Sequence, residues 1–468
     1  MTSGALPARP GSSGRWIHPS TTVPAAANTG SVATGVRRRP EAMRAAYAGL
    51  LTFIVVYFLT PSNWVPGLGE FPVEKVTGGL ALAAFALGAI GHGGLRLRLP
   101  REVVYLIVLF CQFCGAVVFS PVWRGGAFQI VVLDFSKVVV MTIVLVVTVT
   151  TWSRFRNLMM VQVMCIGTIT LISLQKSDRL DGRLIGSLSG IYDNPNDLAL
   201  VIDLVVPFVI AFLIGTRSIL KKTLCALLLC AMAYAVLLTS SRGGLLALLL
   251  AVGVSLWEFG VKGPRKALLV FAGLGMVALL LASLTTRVGE RLRSISSPSG
   301  DQSAYESAQN REEIFWRSLY VTAEHPLFGV GSGNFPVLSG SWHVAHNSFT
   351  ELSAEGGILA LVLFLLMVGR SFRNLRYARL SSSDRPEVLI WAGALRASLA
   401  SFILGACFGS YEYQFLPYFL MAYTSVLYRI SGAHDASQSF SRPEFRRDKG
   451  VSEICAEGQK NHLALPKL

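Results

Sequence analysis

Several polar positions in this otherwise apolar chain have the types and spacing to act on an anion and a hydroxyl. Arg242 stands in Ser240-Ser241-Arg242-Gly243-Gly244, at the junction of two apolar runs. A guanidinium keeps its charge and holds phosphate oxygens in a bidentate fork. A cation snorkelling from a span end is the other reading, and the residues alone leave both open. His346 precedes Asn347 and Ser348, with Glu351 and Glu355 on the next turns. Near neutral pH a histidine can take a proton from a hydroxyl; a capping histidine at a membrane interface is the alternative. Arg311 and Arg317 flank Trp316 in a segment ending at Tyr320 that reads as a short amphipathic helix. His325, His343 and His346 share one loop but form neither HxxxH nor HExxH, so no metal site is expected.

These residues need elements to carry them. The chain has 468 residues, 52% apolar and only 15% charged, with a mean hydropathy of +0.52. That excludes a disordered chain and argues against a soluble globule. Long apolar runs predict an all-α, polytopic membrane bundle. Twelve spans are expected near 43–61, 77–94, 103–122, 129–150, 157–174, 197–215, 223–239, 244–260, 267–284, 347–368, 388–408 and 413–429. Residues 1–42 and 431–468 read as polar cytoplasmic tails, the first disordered. Spans 1–9 fill 43–284, a large loop covers 285–345, and the last three spans lie within 346–430.

The net charge of +15 would suggest nucleic acid in a soluble protein, but its placement points to topology instead. With the N-terminus inside, 29 of the 42 Lys and Arg fall on the cytoplasmic side and 11 outside. By the positive-inside rule both termini are cytoplasmic. Lys137 and Arg396 fall inside spans. Lys137 is three residues from Asp134, within pairing distance on one helix face, and Asp203 is the expected partner of Arg396. Cys111 and Cys114 form a lone CxxC in an apolar run and read as packing thiols.

In this topology the external loop at 285–345 is far longer than a simple connection. Its first part carries Arg287, Arg291 and Arg293, and its end reads His325-Pro-Leu-Phe-Gly-Val-Gly-Ser-Gly-Asn-Phe335. Three spans start on its side of the membrane. The sixth opens with Asn194-Pro195-Asn196-Asp197, an N-cap followed by a proline at the first helical position. The eighth opens at Ser240 to Gly244 and the tenth at His346 to Ser348. Helix N-termini present unpaired N–H groups and partial positive charge. With Arg242 and the loop arginines, they would suit a pyrophosphate if they converge.

These segments, with His346-Asn-Ser-Phe-Thr-Glu-Leu-Ser-Ala-Glu-Gly-Gly357, together resemble the O-antigen ligase and polymerase superfamily of bacterial membrane glycosyltransferases. The motifs cover about residues 185–370, and the span layout is similar throughout. The resemblance implies a class C glycosyltransferase-like helix bundle in the inner membrane, with its active site toward the periplasm. It implies a donor glycan on undecaprenyl pyrophosphate and an acceptor hydroxyl on lipid A core or a growing polysaccharide. No metal, nucleotide or other cofactor is implied. Arg242 and Arg311 match the family's pyrophosphate-holding arginines, and His346 matches the histidine that orients or deprotonates the acceptor. Asn194, Asn196, Ser241, Arg317 and Asn347 are the expected substrate contacts around them. A ligase is the first expectation and a polymerase of the same superfamily the alternative. A twelve-span solute transporter is the rival class. Against it, the polar motifs lie at span ends rather than mid-span, and no half-to-half repeat is visible.

Overall fold

The structure is a computed structural model. It describes residues 43–63, 67, 71–90, 99–180, 182–186, 192–262, 275, 281, 302–340, 342–382 and 384–432. The expected ninth span at 267–284, apart from two isolated positions, lies outside the described residues, as do Arg287, Arg291, Arg293 and the tails at 1–42 and 433–468.

Twelve helices of more than ten residues carry the described chain: α1 (Arg44–Leu59), α2 (Val73–Ile90), α3 (Arg101–Phe119), α4 (Arg124–Thr148), α5 (Trp152–Lys176), α6 (Pro195–Gly215), α7 (Ile219–Leu238), α8 (Arg242–Val261), α9 (Gln302–Glu324), α10 (Ser348–Leu380), α11 (Pro386–Ala406) and α12 (Phe415–Ile430). Nine of them are long and apolar enough to span a membrane, namely α2–α8, α10 and α11. In lipid every backbone N–H and C=O needs a partner within the protein, so long apolar runs resolve as helices. Shorter α1 is also apolar, and α12 is buried over nearly its whole length. The protein is therefore a polytopic all-α membrane protein. A two-stranded hairpin, β1 (Arg179–Leu180) with β2 (Arg183–Leu184), links α5 to α6.

The expected short helix around Arg311 is longer than its amphipathic core suggested, running from Gln302 to Glu324. It packs on α10, where the Thr322 and Ser353 hydroxyls are 3.0 Å apart.

Helix α10 is broken at Gly357, whose φ of 80° and ψ of 172° form a conformation nearly confined to glycine. The segment ending in Gly331 folds back and supplies the hydrogen bonds that the break removes. Val330 and Gly331 N–H donate to the Ala354 and Glu355 carbonyls at 2.9 and 3.0 Å. Ile358 N–H donates to the Pro326 carbonyl at 2.9 Å. The Gln112 side chain of α3 donates to Gly356 and Leu327 carbonyls at 2.8 and 2.6 Å. Irregular backbone at this depth is tolerated because protein satisfies it.

One pairing differs from expectation. Arg396 bonds Glu258 at the end of α8, at 2.8 Å, and not Asp203. The reason is helical phase. Ser398 faces α6, donating to the Leu204 carbonyl at 2.6 Å. Two residues back is about 200° around the helix, which turns Arg396 away from α6. Asp203 is fully buried, and neither carboxyl oxygen has a hydrogen-bond partner among the described residues. Asp134 and Lys137 do pair, at 2.7 Å, on the exposed side of α4. Cys111 and Cys114 are free thiols.

Candidate functional site

The sequence leaves open whether the three polar helix starts meet. They do, and the short connection between the last two helices joins them.

The start of α6 is capped by Asn194, whose side-chain oxygen accepts the Asn196 N–H at 2.9 Å. The Asn196 side-chain oxygen Oδ1 accepts from the Ser241 hydroxyl at 2.8 Å and from the Arg183 guanidinium at 2.9 Å. Arg183 also donates to the Thr239 carbonyl at 2.9 Å, closing the stitch between α6, α8 and the hairpin. Ser241 in turn caps α8 by accepting the Gly244 N–H at 3.1 Å. Asn194, Asn196 and Ser241 thus hold two helix ends together. Half-buried Arg242 projects from the first residue of α8 at that junction.

Asn347 caps α10, accepting Phe349 and Thr350 N–H at 3.0 and 3.3 Å. The residue before each of the Ser241 and Asn347 caps is left-handed: Ser240 and His346 both have φ of 50°. Such a backbone costs roughly 1–3 kcal/mol in a non-glycine residue and persists only where its surroundings enforce it. The aim of His346 is therefore set by the chain entering α10.

The joining element is the α11–α12 connection, residues 407–414. Phe408 packs on Gly243, where an added Cβ would lie 2.7 Å from the Phe408 Cβ. Ser348 of α10 donates to the Gly409 carbonyl at 2.7 Å and accepts the Tyr411 N–H at 2.8 Å. The Tyr411 side chain hydrogen-bonds Asp197 in the first turn of α6. One short connection thus touches the first turns of α6, α8 and α10. Tyr413 anchors it below, at 5.2 Å ring separation from Phe113 and 6.0 Å from Phe135.

Arg311 of α9 lies where its charge acts on both His346 and Tyr411. Burial, then Arg311 and then His343, push the His346 imidazole down to about 4. The ring is neutral at pH 7 and able to accept a proton. Burial, followed by the Asp197 charge, raises the Tyr411 phenol well above its usual range, so it stays protonated. Arg317 is six residues from Arg311, about 240° around the helix. It donates to the Leu338 carbonyl at 3.0 Å and lies over the Tyr320 ring.

Three carboxyl groups gather behind this surface. Glu351, Glu355 and Glu412 each bring a carboxylate oxygen within 4.8 Å of the others, the grouping among the described residues that could hold a cation. Glu355 already accepts Gly333 and Phe335 N–H at 2.8 and 3.1 Å and the Tyr413 hydroxyl at 2.7 Å. Glu351 accepts the Ala345 N–H at 3.1 Å and the Ser410 hydroxyl. Burial, then the charges of Glu351 and Glu355, push the Glu412 carboxyl well above the usual carboxylate range. The first two therefore anchor loop backbone, and Glu412 is held as the neutral acid.

Of the residues expected from sequence, Arg311 and His346 are brought together, and the caps Asn194, Asn196, Ser241 and Asn347 frame the junction beside Arg242. Tyr411, Glu412 and Arg183 were not anticipated. Tyr411 and Glu412 sit in what reads as a bare four-residue turn between spans, and Arg183 carries no local motif.

Residues 225–365 match the family described as O-antigen ligase. The match contains Arg242, Arg311 and His346, while the Asn194 cap and the 407–414 connection lie outside it. No curated protein matches the chain. The matched stretch and the membrane helices around it support a likeness to the O-antigen ligase and polymerase superfamily.

Proposed function

We propose that this protein is an O-antigen ligase-like transferase, moving a glycan from undecaprenyl pyrophosphate to an acceptor hydroxyl at the periplasmic face of the inner membrane. The reading rests on one observation above others. The cap junction bearing Arg242 and the region of Arg311 and His346 are tied together through the 407–414 connection. Arg242 and Arg311 would bind the pyrophosphate, with Asn194, Asn196, Ser241 and Asn347 holding the helix ends that present them. The acceptor oxygen attacks the anomeric carbon, and the bond from that carbon to the pyrophosphate oxygen breaks with inversion. Charge grows on the leaving pyrophosphate, where fixed cations stabilise it without reorganising. The acceptor proton passes to the neutral His346 imidazole. No metal takes part in this scheme. The acceptor is a lipid A core sugar in a ligase and the next lipid-linked repeat in a polymerase.

Reconstitution in liposomes with labelled lipid-linked glycan tests this, with and without lipid A core. Label on lipid A core only when it is supplied identifies a ligase, and a ladder of longer lipid-linked chains without it identifies a polymerase. Arg242→Ala should abolish transfer, and Arg242→Lys should restore little, since a point charge lacks the fork. Near-normal transfer by Arg242→Ala would remove its assigned role. Wild-type protein that is folded but inactive in both arms, and that moves a solute, would replace the enzyme reading with a transporter.

A further inference from the structure

At the end of α10 opposite the candidate site, four arginines recur every third residue: Arg370, Arg373, Arg376 and Arg379. A three-residue step advances a helix by about 300°, so the series winds back through half a turn from first to last. The two ends face opposite flanks, and each meets a buried carboxylate. Arg370 lies 3.3 Å from Glu102 of α3. Arg379 pairs with Glu258 of α8, which also holds Arg396 at 2.8 Å and Lys262 at 3.1 Å. Asn374, on the inner side, donates to Glu102 at 2.6 Å. The middle two face outward and are exposed. Arg373 bonds only the Tyr377 side chain, and Arg376 has no hydrogen-bond or ion-pair partner among the described residues.

The six cations of this cluster, Lys262 and Arg396 included, face two carboxylates within it, a formal surplus of four positive charges for the cluster. The depth is also specific. From Ser348 to Gly369 the two parts of α10, which meet at the Gly357 break, would rise about 32 Å at the usual helical pitch, close to the hydrocarbon thickness of a bilayer. Arg373 and Arg376 follow about 6 and 11 Å further on, at the level of lipid phosphates. Trp257, 54% exposed, lies in the same cluster with the Lys262 ammonium 5.5 Å from its ring. Half-apolar, half-polar rings of this kind sit at the headgroup boundary.

We propose that the outward face of α10 at Arg373 and Arg376 is a binding site for anionic phospholipid headgroups. The two guanidiniums fork onto the phosphate, and the surplus charge selects a lipid with net negative charge over a zwitterionic one. The lateral ends of the series grip the protein, and the centre grips the membrane.

The test uses the full-length chain in nanodiscs, with lipid retention read by native mass spectrometry. Phosphatidylglycerol and phosphatidylcholine are compared for wild type, Arg373→Gln/Arg376→Gln and Arg373→Lys/Arg376→Lys. Lys176→Gln/Arg179→Gln, two exposed cations at the other membrane face, makes the same charge change elsewhere. Each arginine near the surface contributes about fivefold, so the double glutamine variant should retain phosphatidylglycerol roughly 30-fold more weakly. The lysine variant should keep part of the preference, and the Lys176/Arg179 control all of it. Equal unfolding temperatures in phosphatidylcholine show that the variants are folded. Three results overturn the proposal: no wild-type preference for phosphatidylglycerol, unchanged retention in the glutamine variant, or an equal loss in the control.

Discussion

The basicity of His346 should change when the donor binds, and Arg311 should be the reason. The ordinary histidine value is 6.5, and the folded protein holds His346 at about 4. Burial is the largest cause and Arg311 the next, ahead of His343. A pyrophosphate on Arg311 would cancel that positive field and leave the burial in place. Only part of the gap is then recovered, so the donor-bound imidazole should titrate above its free-enzyme value and below the ordinary histidine value. The assay is transfer by the reconstituted enzyme from pH 3.5 to 8. The acid limb of kcat/KM reports the free enzyme, and that of single turnover at saturating donor reports the complex. In wild type the second limb should lie above the first. Arg311→Gln should bring the two together at the higher position, whatever it does to the overall rate, and Arg311→Lys should keep them apart. His346→Gln should erase the limb and identify its owner. Coincident limbs in wild type, or a limb unmoved by Arg311→Gln, would refute the coupling.

Three further outcomes follow from particular contacts. The same imidazole makes folding acid-sensitive: below pH 6.5 the unfolded chain binds a proton that the folded one refuses, so stability should fall between pH 6.5 and about 4. His346→Gln should flatten that slope in a urea titration, and an unchanged slope would assign it to other groups. Gly357→Ala forces a side chain into a conformation nearly confined to glycine and places its Cβ 2.3 Å from the Leu327 carbonyl oxygen. Unfolding in detergent should show a loss of more than about 2 kcal/mol, and a wild-type melting temperature would contradict the broken-helix account. Tyr411→Phe strips the Asp197 carboxyl of its hydroxyl partner, at about 1–3 kcal/mol. With Asp197→Asn it should give a double-mutant cycle well short of additive, and strict additivity would mean the two do not act as a pair.

What the sequence disclosed and what it hid divide along the range of the interactions. Apolar runs predicted the spans, because a bilayer leaves the backbone no alternative. Asn194 is recognisable as a cap residue because capping is settled within three residues. Gly356-Gly357 was visible as a motif but not as a break, since the partners that make a break tolerable come from Gln112 and the Pro326–Gly331 segment. Asp203 and Arg396 invited pairing as two charges in apolar runs. Composition carries no helical phase between separate helices, and Glu258, the actual partner, stands at the end of its span, where a charge needs no partner. The 407–414 connection was the hardest to see. Its role consists of contacts to Ser348, Asp197 and Gly243, none nearer than about sixty residues.

That connection also bears on how the site manages its charge. A pyrophosphate needs cations within reach, yet the fold buries three carboxyl groups behind the same surface. Three unmasked negative charges there would oppose Arg242 and Arg311 across a poorly screening interior. Each is muted in its own way. Glu355 is surrounded by two backbone N–H groups and a tyrosine hydroxyl. Glu351 takes one N–H and one serine hydroxyl. Glu412, pressed by burial and by the other two, keeps its proton. Two of the three hydroxyl-bearing or acidic groups in this arrangement that lie outside α10, Ser410 and Tyr413, flank Glu412 in the α11–α12 connection. The element that gathers the helix starts is therefore the one that quiets the acids beneath them, leaving the arginines to set the field where the donor's charge would develop.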